Sequence, residues 1–366
     1  MIEPVREDRS LTRIGVFGVG GAGCNAINHM IDARLSGVEL HAVNTDLQAL
    51  GMSLSPNKIQ LGAQLTGGLG SGGDPNIGKQ AADESIEQLR EALSGFDMVF
   101  LAVGEGGGTG TGAAPVMAEV ARRSGALVVA VVTKPFQFEG KQREQRALRG
   151  IEALRPQVDT LIVLPNQRVL AEYGEKPCFE AFRLADDVLL NAVRGIAEVV
   201  ITKQLINIDF ADVRAVMSEH GGAIMSVGIA SGPGRASEAA HRALQSPLIE
   251  DVMVESARKI LLNITGDDAM TLKEVDEAAT TVYNATNGQA DVRMGAARSK
   301  DLRDSMRVTM IATGLSDPLP KVDEVSDLLA EMDLFPSIKR TMGKEVTMAV
   351  DKHNLDVPAF LRRQLD

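Results

Sequence analysis

Two glycine-rich loops constrain this chain more than any other feature, because each stands where an apolar run gives way to a helical pattern. The first is Gly18-Val19-Gly20-Gly21-Ala22-Gly23-Cys24-Asn25, and the second is Gly104-Glu105-Gly106-Gly107-Gly108-Thr109-Gly110-Thr111-Gly112. Glycine lets a backbone approach an anion closely, and a helix start aims unpaired N–H groups at it. Read alone, Gly18, Gly20 and Gly23 satisfy the G-x-G-x-x-G dinucleotide fingerprint, with Asp46 near the place of a ribose-binding acid. A nicotinamide-dependent oxidoreductase is compatible with that loop. The second loop argues against it. One pyrophosphate does not need two cradles, whereas a triphosphate gripped from both sides does. Its run of amides forms a nest, and Thr109 and Thr111 add two hydroxyls. A third glycine stretch, 67–75, is placed to close over a terminal phosphate.

The loops sit in a βαβ succession. Short β-branched runs at Ile14–Val19, 40–43, 98–103, 127–132 and 160–164 read as buried parallel strands. Helical patterns at 25–32, 78–93 and 112–123 lie between them. From 179 to 203 an apolar stripe of Phe182, Ala185, Val188, Leu189, Ala192, Val193, Ile196 and Val199 predicts one long helix. At ~1.5 Å per residue such a helix is ~37 Å long, enough to link two lobes. Runs at 224–229, 259–264 and 308–311, with helices at 236–243 and from Leu272, describe a smaller α+β unit. Beyond Gly314 an acidic, proline-broken stretch leads to a terminal LDVPAFLRRQLD, in which Asp356 can cap a short turn opened by Pro358.

Charge and composition exclude some partners. A net charge of −11 opposes general binding to nucleic acid, so any bound phosphate must be held by local backbone dipoles. Two cysteines do not make a disulfide framework. No apolar run approaches a membrane span, and the N-terminus MIEPVREDRS has no apolar signal core, so the cytoplasm and no direct membrane insertion are expected. The five histidines, His29, His41, His220, His241 and His353, show no metal or catalytic-triad spacing, which leaves an oxidoreductase without its chemistry.

Several motifs occur in a fixed order: GVGGAGCN, NTD at 44–46, GLGSGGDP at 68–75, GGGTGTG at 106–112, VTKPFQFEG at 132–140, FRLADD at 182–187, NIDFADV at 207–213 and the terminal LDVPAFLRRQ. In this the chain resembles the tubulin/FtsZ family over nearly its whole length, the linker excepted. The resemblance implies an α/β fold: a Rossmann-like parallel-sheet GTPase domain, a long central helix, a smaller α+β second domain and a flexible tail. The expected divisions are 1–10 flexible N-terminus, 11–178 GTP-binding domain, 179–206 central helix, 207–315 C-terminal domain, 316–354 linker and 355–366 partner-binding peptide.

The same resemblance implies site residues. Gly20, Gly21, Ala22, Gly23, Cys24 and Asn25 would hold phosphates, as would Gly104, Gly107, Gly108, Thr109, Gly110 and Thr111. Asp46 joins the GTP contacts, and Ser71 with Gly72 lies in the loop that senses the γ-phosphate. Glu139 and Arg143 match ribose-side contacts, and Asn166, Phe182 and Asp186 match the guanine pocket. A carboxylate at Asp186 can accept from both N1–H and the 2-amino group of guanine, a pair adenine does not offer. Read from residues alone, Asp209 and Asp212 are an N-cap and an N3 acid of a helix start. By resemblance, Asn207, Asp209 and Asp212 form a catalytic loop that enters the next subunit's site, and Mg²⁺ is held mainly by phosphates and water.

The implied activity is GTP hydrolysis to GDP and phosphate, coupled to assembly into head-to-tail filaments for bacterial cell division (the Z-ring). A paralogue that binds GTP as a scaffold and hydrolyses it weakly is the alternative. Asp356, Pro358, Phe360, Leu361 and Arg362 would dock division partners, a membrane tether among them, at a mid-cell ring on the inner face of the membrane. Four positions depart from the family pattern. Ser71 stands where alanine is common, and Glu105 replaces an apolar residue and is expected to turn outward. Gln204 replaces glycine before the catalytic loop. Arg293 interrupts an apolar strand and is expected at an edge or to snorkel.

Overall fold

A computed structural model describes residues 12–173, 178–201, 205–206, 208–219, 221–246, 254–299 and 301–315, the side chains of 169, 171–173, 178–182, 184–185 and 188 excepted. The N-terminal stretch 1–10, Gln204, Asn207, the linker 316–354 and the peptide carrying Asp356, Pro358, Phe360, Leu361 and Arg362 lie outside the described residues.

Ten strands among those residues form one sheet: β1 (Ile14–Val19), β2 (Glu39–Asn44), β3 (Asn57–Gln60), β4 (Met98–Gly104), β5 (Leu127–Lys134), β6 (Thr160–Pro165), β7 (Gly222–Ser231), β8 (Lys259–Gly266), β9 (Asp291–Arg298) and β10 (Ser305–Leu315). Their spatial order is β3-β2-β1-β4-β5-β6-β7-β10-β8-β9. From β3 to β6 every pairing is parallel, as the βαβ succession requires. A single parallel pair, Ile162 with Ala223, joins β6 to β7, and beyond it β10 runs antiparallel to β7 and β8.

The helices are α1 (Gly20–Asp32), α2 (Leu47–Met52), α3 (Ala63–Thr66), α4 (Pro75–Glu84), α5 (Ile86–Leu93), α6 (Thr109–Arg123) and α7 (Lys141–Leu154). They continue as α8 (Asn166–Tyr173), α9 (Cys178–Ile201), α10 (Phe210–Met217), α11 (Arg235–Leu244) and α12 (Leu272–Ala285). Two helices begin earlier than expected, at Gly20 and Thr109, because the glycines take part in the first turn despite their low helix propensity. The expected helix at 78–93 is two helices that meet at Ser85, whose hydroxyl accepts from the Gly62 N–H at 3.0 Å. The two edges of the sheet are β3, which has no sequence signal, and β9, which carries Arg293 at the edge position expected for it. Edge strands carry charge and polarity and lack an apolar run.

β1 and β4 are buried almost throughout, as parallel strands covered on both faces should be. The long helix α9 presents Leu189, Leu190, Val193 and Ile196 to the cluster containing Val16, Phe100 and Val129. That cluster also holds Met225, Leu261 and Ile311 from the second half, so α9 is shared by both halves. In β8 and β10 the period of two is clear. Ile260, Leu262 and Ile264, with Met306, Val308 and Met310, face a second core against α11 and α12, whereas Leu261 and Ile311 face the first.

Candidate nucleotide site and the carboxylates at the opposite edge

The two glycine loops leave the sheet side by side, since β1 and β4 pair in register up to Val19 with Val103. They pack without room for side chains: a Cβ on Gly20 would stand 2.9 Å from the Gly110 nitrogen, and one on Gly104 would stand 2.5 Å from the Ala22 Cβ. Neither α1 nor α6 has a side-chain N-cap or an acid in its first turn. Their leading amides are therefore unclaimed by side chains. A Cβ on Gly21 or Gly107 would meet nothing within 4 Å, so open space lies over both helix starts. Two dipoles and two sets of amides facing one space are what a polyphosphate requires.

The third loop, 67–75, closes on the second. Gly68, Gly70, Gly72 and Gly73 all have positive φ, and a Cβ on Gly108 would lie 2.2 Å from Ser71 Oγ. A buried chain of hydroxyls runs across the junction: Thr45 Oγ1 is 2.7 Å from Thr109 Oγ1, which is 3.1 Å from Ser71 Oγ. Arg146 from α7 donates to the Gly73 carbonyl. Thr45 and Arg146 had no assigned role in the sequence. Thr45 sits inside the NTD motif, which was its only signal, and Arg146 had none.

Other expected contacts take more specific shapes. The Cys24 thiol is buried at 3.8 Å from the Gly18 and Val43 carbonyls, and burial pushes it up to about 11. Only its backbone is available to a ligand. The Asp46 carboxylate accepts from the Gln48 and Ala49 amides and caps α2. Thr111 Oγ1 accepts from the Gly106 N–H at 2.8 Å, so this hydroxyl braces the loop. Glu139 accepts from the Phe136 N–H at 2.8 Å and pairs with Arg143 at 2.9 Å, which ties the two ribose-side candidates together. Asn166 is half-buried at the start of α8, and Phe182 lies in α9. Asp186 is half-buried on α9, beside the ion pair of His29 with Asp187. Burial raises its carboxyl to about 6, with His29 opposing and Asp187 adding to the rise.

Glu105 does not turn outward. It is 2% exposed, and among the described residues neither carboxylate oxygen has a hydrogen-bond partner. Its Oε2 would lie 2.3 Å from a Cβ on Gly150, so it fills an interior space that exists because α7 carries a glycine there. Burial pushes the acid up to about 7, opposed by the nearby Thr111 hydroxyl and Gly106 amide. A carboxyl group whose protonated form is favoured by burial occupies the place of an apolar side chain, away from the open face of the loop.

The candidate catalytic acids lie at the other end of the strands. Asp209 caps α10, its Oδ1 accepting from the Asp212 N–H at 2.7 Å, as the residue types alone suggested. Arg214 of α10 donates to the carbonyl of Gly125, just before β5 begins, at 3.5 Å. Thr160, the first residue of β6, donates to the Met217 carbonyl at the end of α10. The helix thus covers the N-terminal edge of the parallel strands, while both glycine loops leave the C-terminal edge. β5 spans 8 residues, so the two edges are ~23 Å apart at ~3.3 Å per residue. Asp209 and Asp212 are beyond reach of the phosphate space of their own subunit.

Comparison with known proteins is consistent along the chain. Residues 13–174 match the tubulin/FtsZ family GTPase domain, and residues 221–316 match the FtsZ family C-terminal domain. A solved point mutant of FtsZ from M. jannaschii is 43% identical, with a TM-score of 0.79, covering 83% of this chain and 91% of its own. An empty FtsZ dimer from M. jannaschii is 40% identical at a TM-score of 0.79, over 86% of this chain and 96% of its own. CetZ2 from Haloferax volcanii, solved as a GTPγS-bound protofilament, shares the fold at 21% identity and a TM-score of 0.72, over 87% and 98% of the two chains.

Proposed function

The chain belongs to the tubulin/FtsZ family of GTP-binding, GTP-hydrolysing proteins, and from that premise we propose that it is a polymerising GTPase of bacterial cell division whose site is completed only between successive subunits. One observation carries the reading: the phosphate cradles and the carboxylates of α10 occupy opposite edges of the same parallel sheet. Stacking copies head to tail along the strand direction brings Asp209 and Asp212 of one onto the phosphate space of the next. The dimeric and protofilament relatives support such self-association.

Within that interface the roles follow from chemistry. The amides of the two cradles bind and orient the triphosphate. The loop at Ser71 and Gly72 closes on its end, and Asp186 selects guanine. Asp212 and the free oxygen of Asp209 orient the attacking water and draw on its proton, and Asn207 belongs to the same loop. Mg²⁺, when bound, neutralises the phosphates as charge develops. The ion is proposed to be carried mainly by phosphate oxygens and water. Among the described residues no helix is long and apolar enough to cross a membrane. A membrane tether is proposed to dock on the terminal peptide and hold a mid-cell ring at the inner face.

Right-angle light scattering run beside phosphate release tests this. The native chain should scatter with GTP or a slowly hydrolysed analogue and not with GDP, and phosphate release per subunit should vanish on dilution below the assembly threshold. Asp212→Ala should form long-lived polymer with little release. Equal release at dilutions where nothing assembles would overturn the proposal.

A further inference from the structure

The segment that carries the candidate catalytic acids is fastened to the edge strand β9 at two points. The Leu205 amide donates to the Ala296 carbonyl at 2.7 Å, and the Ala296 amide donates to the Ile206 carbonyl at 3.1 Å. This short antiparallel bridge immediately precedes the catalytic loop. Farther along β9, Arg293 Nη1 lies 3.3 Å from Asp212 Oδ1, and its Nη2 lies 3.1 Å from Asp291 Oδ2. The guanidinium is thus braced from its own strand while it holds the carboxylate. The other arginine nearby, Arg214, is turned elsewhere: its guanidinium stacks over Phe210 at 5.3 Å and reaches Gly125.

We propose that Arg293 is a positioning residue for Asp212, holding its carboxylate in one rotamer so that the loop reaches the neighbouring subunit's phosphates already aimed. The inference rests on the proposed function, in which Asp212 acts on the next subunit. The magnitude of the contact determines the kind of effect. Both side chains are roughly half exposed, at 45% and 35%, so the pair contributes little to folding and biases a rotamer by a factor of up to about five. Reaction rates respond to such bias, because a carboxylate turned away is absent from the attacking geometry. Asp209 needs no such partner, since its carboxylate is fixed by the cap it makes with the Asp212 amide.

The test is a double-mutant cycle on the full chain with native, Arg293→Met, Asp212→Asn and the double variant, adding Arg293→Lys. Phosphate release is measured against GTP concentration, polymer by sedimentation, and folding by urea midpoint. Arg293→Met should lower kcat of assembled protein about three- to fivefold, with KM, sedimented fraction and urea midpoint unchanged. Arg293→Lys should restore more than half of the loss. Asp212→Asn should remove most turnover, and adding Arg293→Met to it should change the remaining activity by less than about 1.5-fold. Unchanged kcat in Arg293→Met while Asp212→Asn is inactive would overturn the role of Arg293 and leave the proposed function standing. So would an equal loss in both backgrounds, or a loss accompanied by a lower urea midpoint. Native turnover in Asp212→Asn would overturn the proposed function and this inference with it.

Discussion

The Glu105 carboxylate is folded beneath Gly150 of α7, its Oε2 2.3 Å from where a Cβ on that glycine would stand, with no hydrogen-bond partner for either oxygen among the described residues. The second glycine loop therefore rests on a buried acid. Burial raises that acid to about 7, so the folded state holds a proton that the unfolded chain releases in the ordinary glutamate range. The stabilising effect of that proton is complete at low pH. It is lost as pH rises from the glutamate range through about 7. At pH 8, Glu105→Gln should be more stable than the native protein by up to ~3 kcal/mol, and the two should converge near pH 5. Urea unfolding with saturating GDP at the two pH values checks this. A constant difference would show that the acid does not titrate in place.

Asp186 gives the opposite dependence in binding. Its carboxyl is raised to about 6, and in the proposed guanine contact only the ionised form would accept from both donors. Affinity for GDP should fall as pH drops through about 6, approaching tenfold per pH unit below it. Asp186→Asn should bind weakly and show a flatter profile. Titrations with a fluorescent guanine nucleotide between pH 5 and 8 measure both.

Two adjacent glycines separate ligand space from packing. A Cβ on Gly107 meets nothing within 4 Å, whereas one on Gly108 would strike Ser71 Oγ at 2.2 Å and the Asp74 nitrogen at 2.8 Å. Gly107→Ala should leave the melting temperature of the nucleotide-free protein unchanged and weaken GTP binding tenfold or more. Gly108→Ala should destabilise the fold by ~1–3 kcal/mol through overpacking. Calorimetry and nucleotide binding on the two variants distinguish these outcomes.

In the second half, Arg235 is 5% exposed, with its Nε 2.7 Å from Glu274 and its Nη2 3.2 Å from Asp267. The guanidinium holds the Glu274 carboxyl down to about 2. Arg235→Met should cost ~1.5–3 kcal/mol, because it removes charge-assisted hydrogen bonds from two partly exposed carboxylates that keep their other donors. Denaturant unfolding should show it, with GTP binding at the first half retained in whatever fraction stays folded.

Much of this architecture was legible from local signals, and the parts that were not share a cause. Apolar runs and helical stripes located β1, β4, β5, β6 and α9 within a few residues, because burial on both faces imposes its composition on the chain. The edge strand β3 was missed, since it is four residues long and mostly polar, and β9 was reached only through the resemblance that puts Arg293 in an edge strand. The close approach of the glycine loops was legible, because backbones packed as tightly as at Gly20, Gly104 and Gly108 leave no room for a Cβ. The N-cap role of Asp209 was readable too, for a cap is a contact within three residues.

Only the tertiary structure decided which way a side chain turns and what meets it from a distant segment. That Glu105 lies inward depends on Gly150 of α7, and the partner of Asp212 is Arg293 on an edge strand. That the acids and the glycine loops stand at opposite ends of the same strands follows from where α10 packs, through Met217 to Thr160 and Arg214 to Gly125. Such pairings are set by the closing of the whole chain on its core, and the energy that selects them is spread over packing that no short stretch of sequence contains.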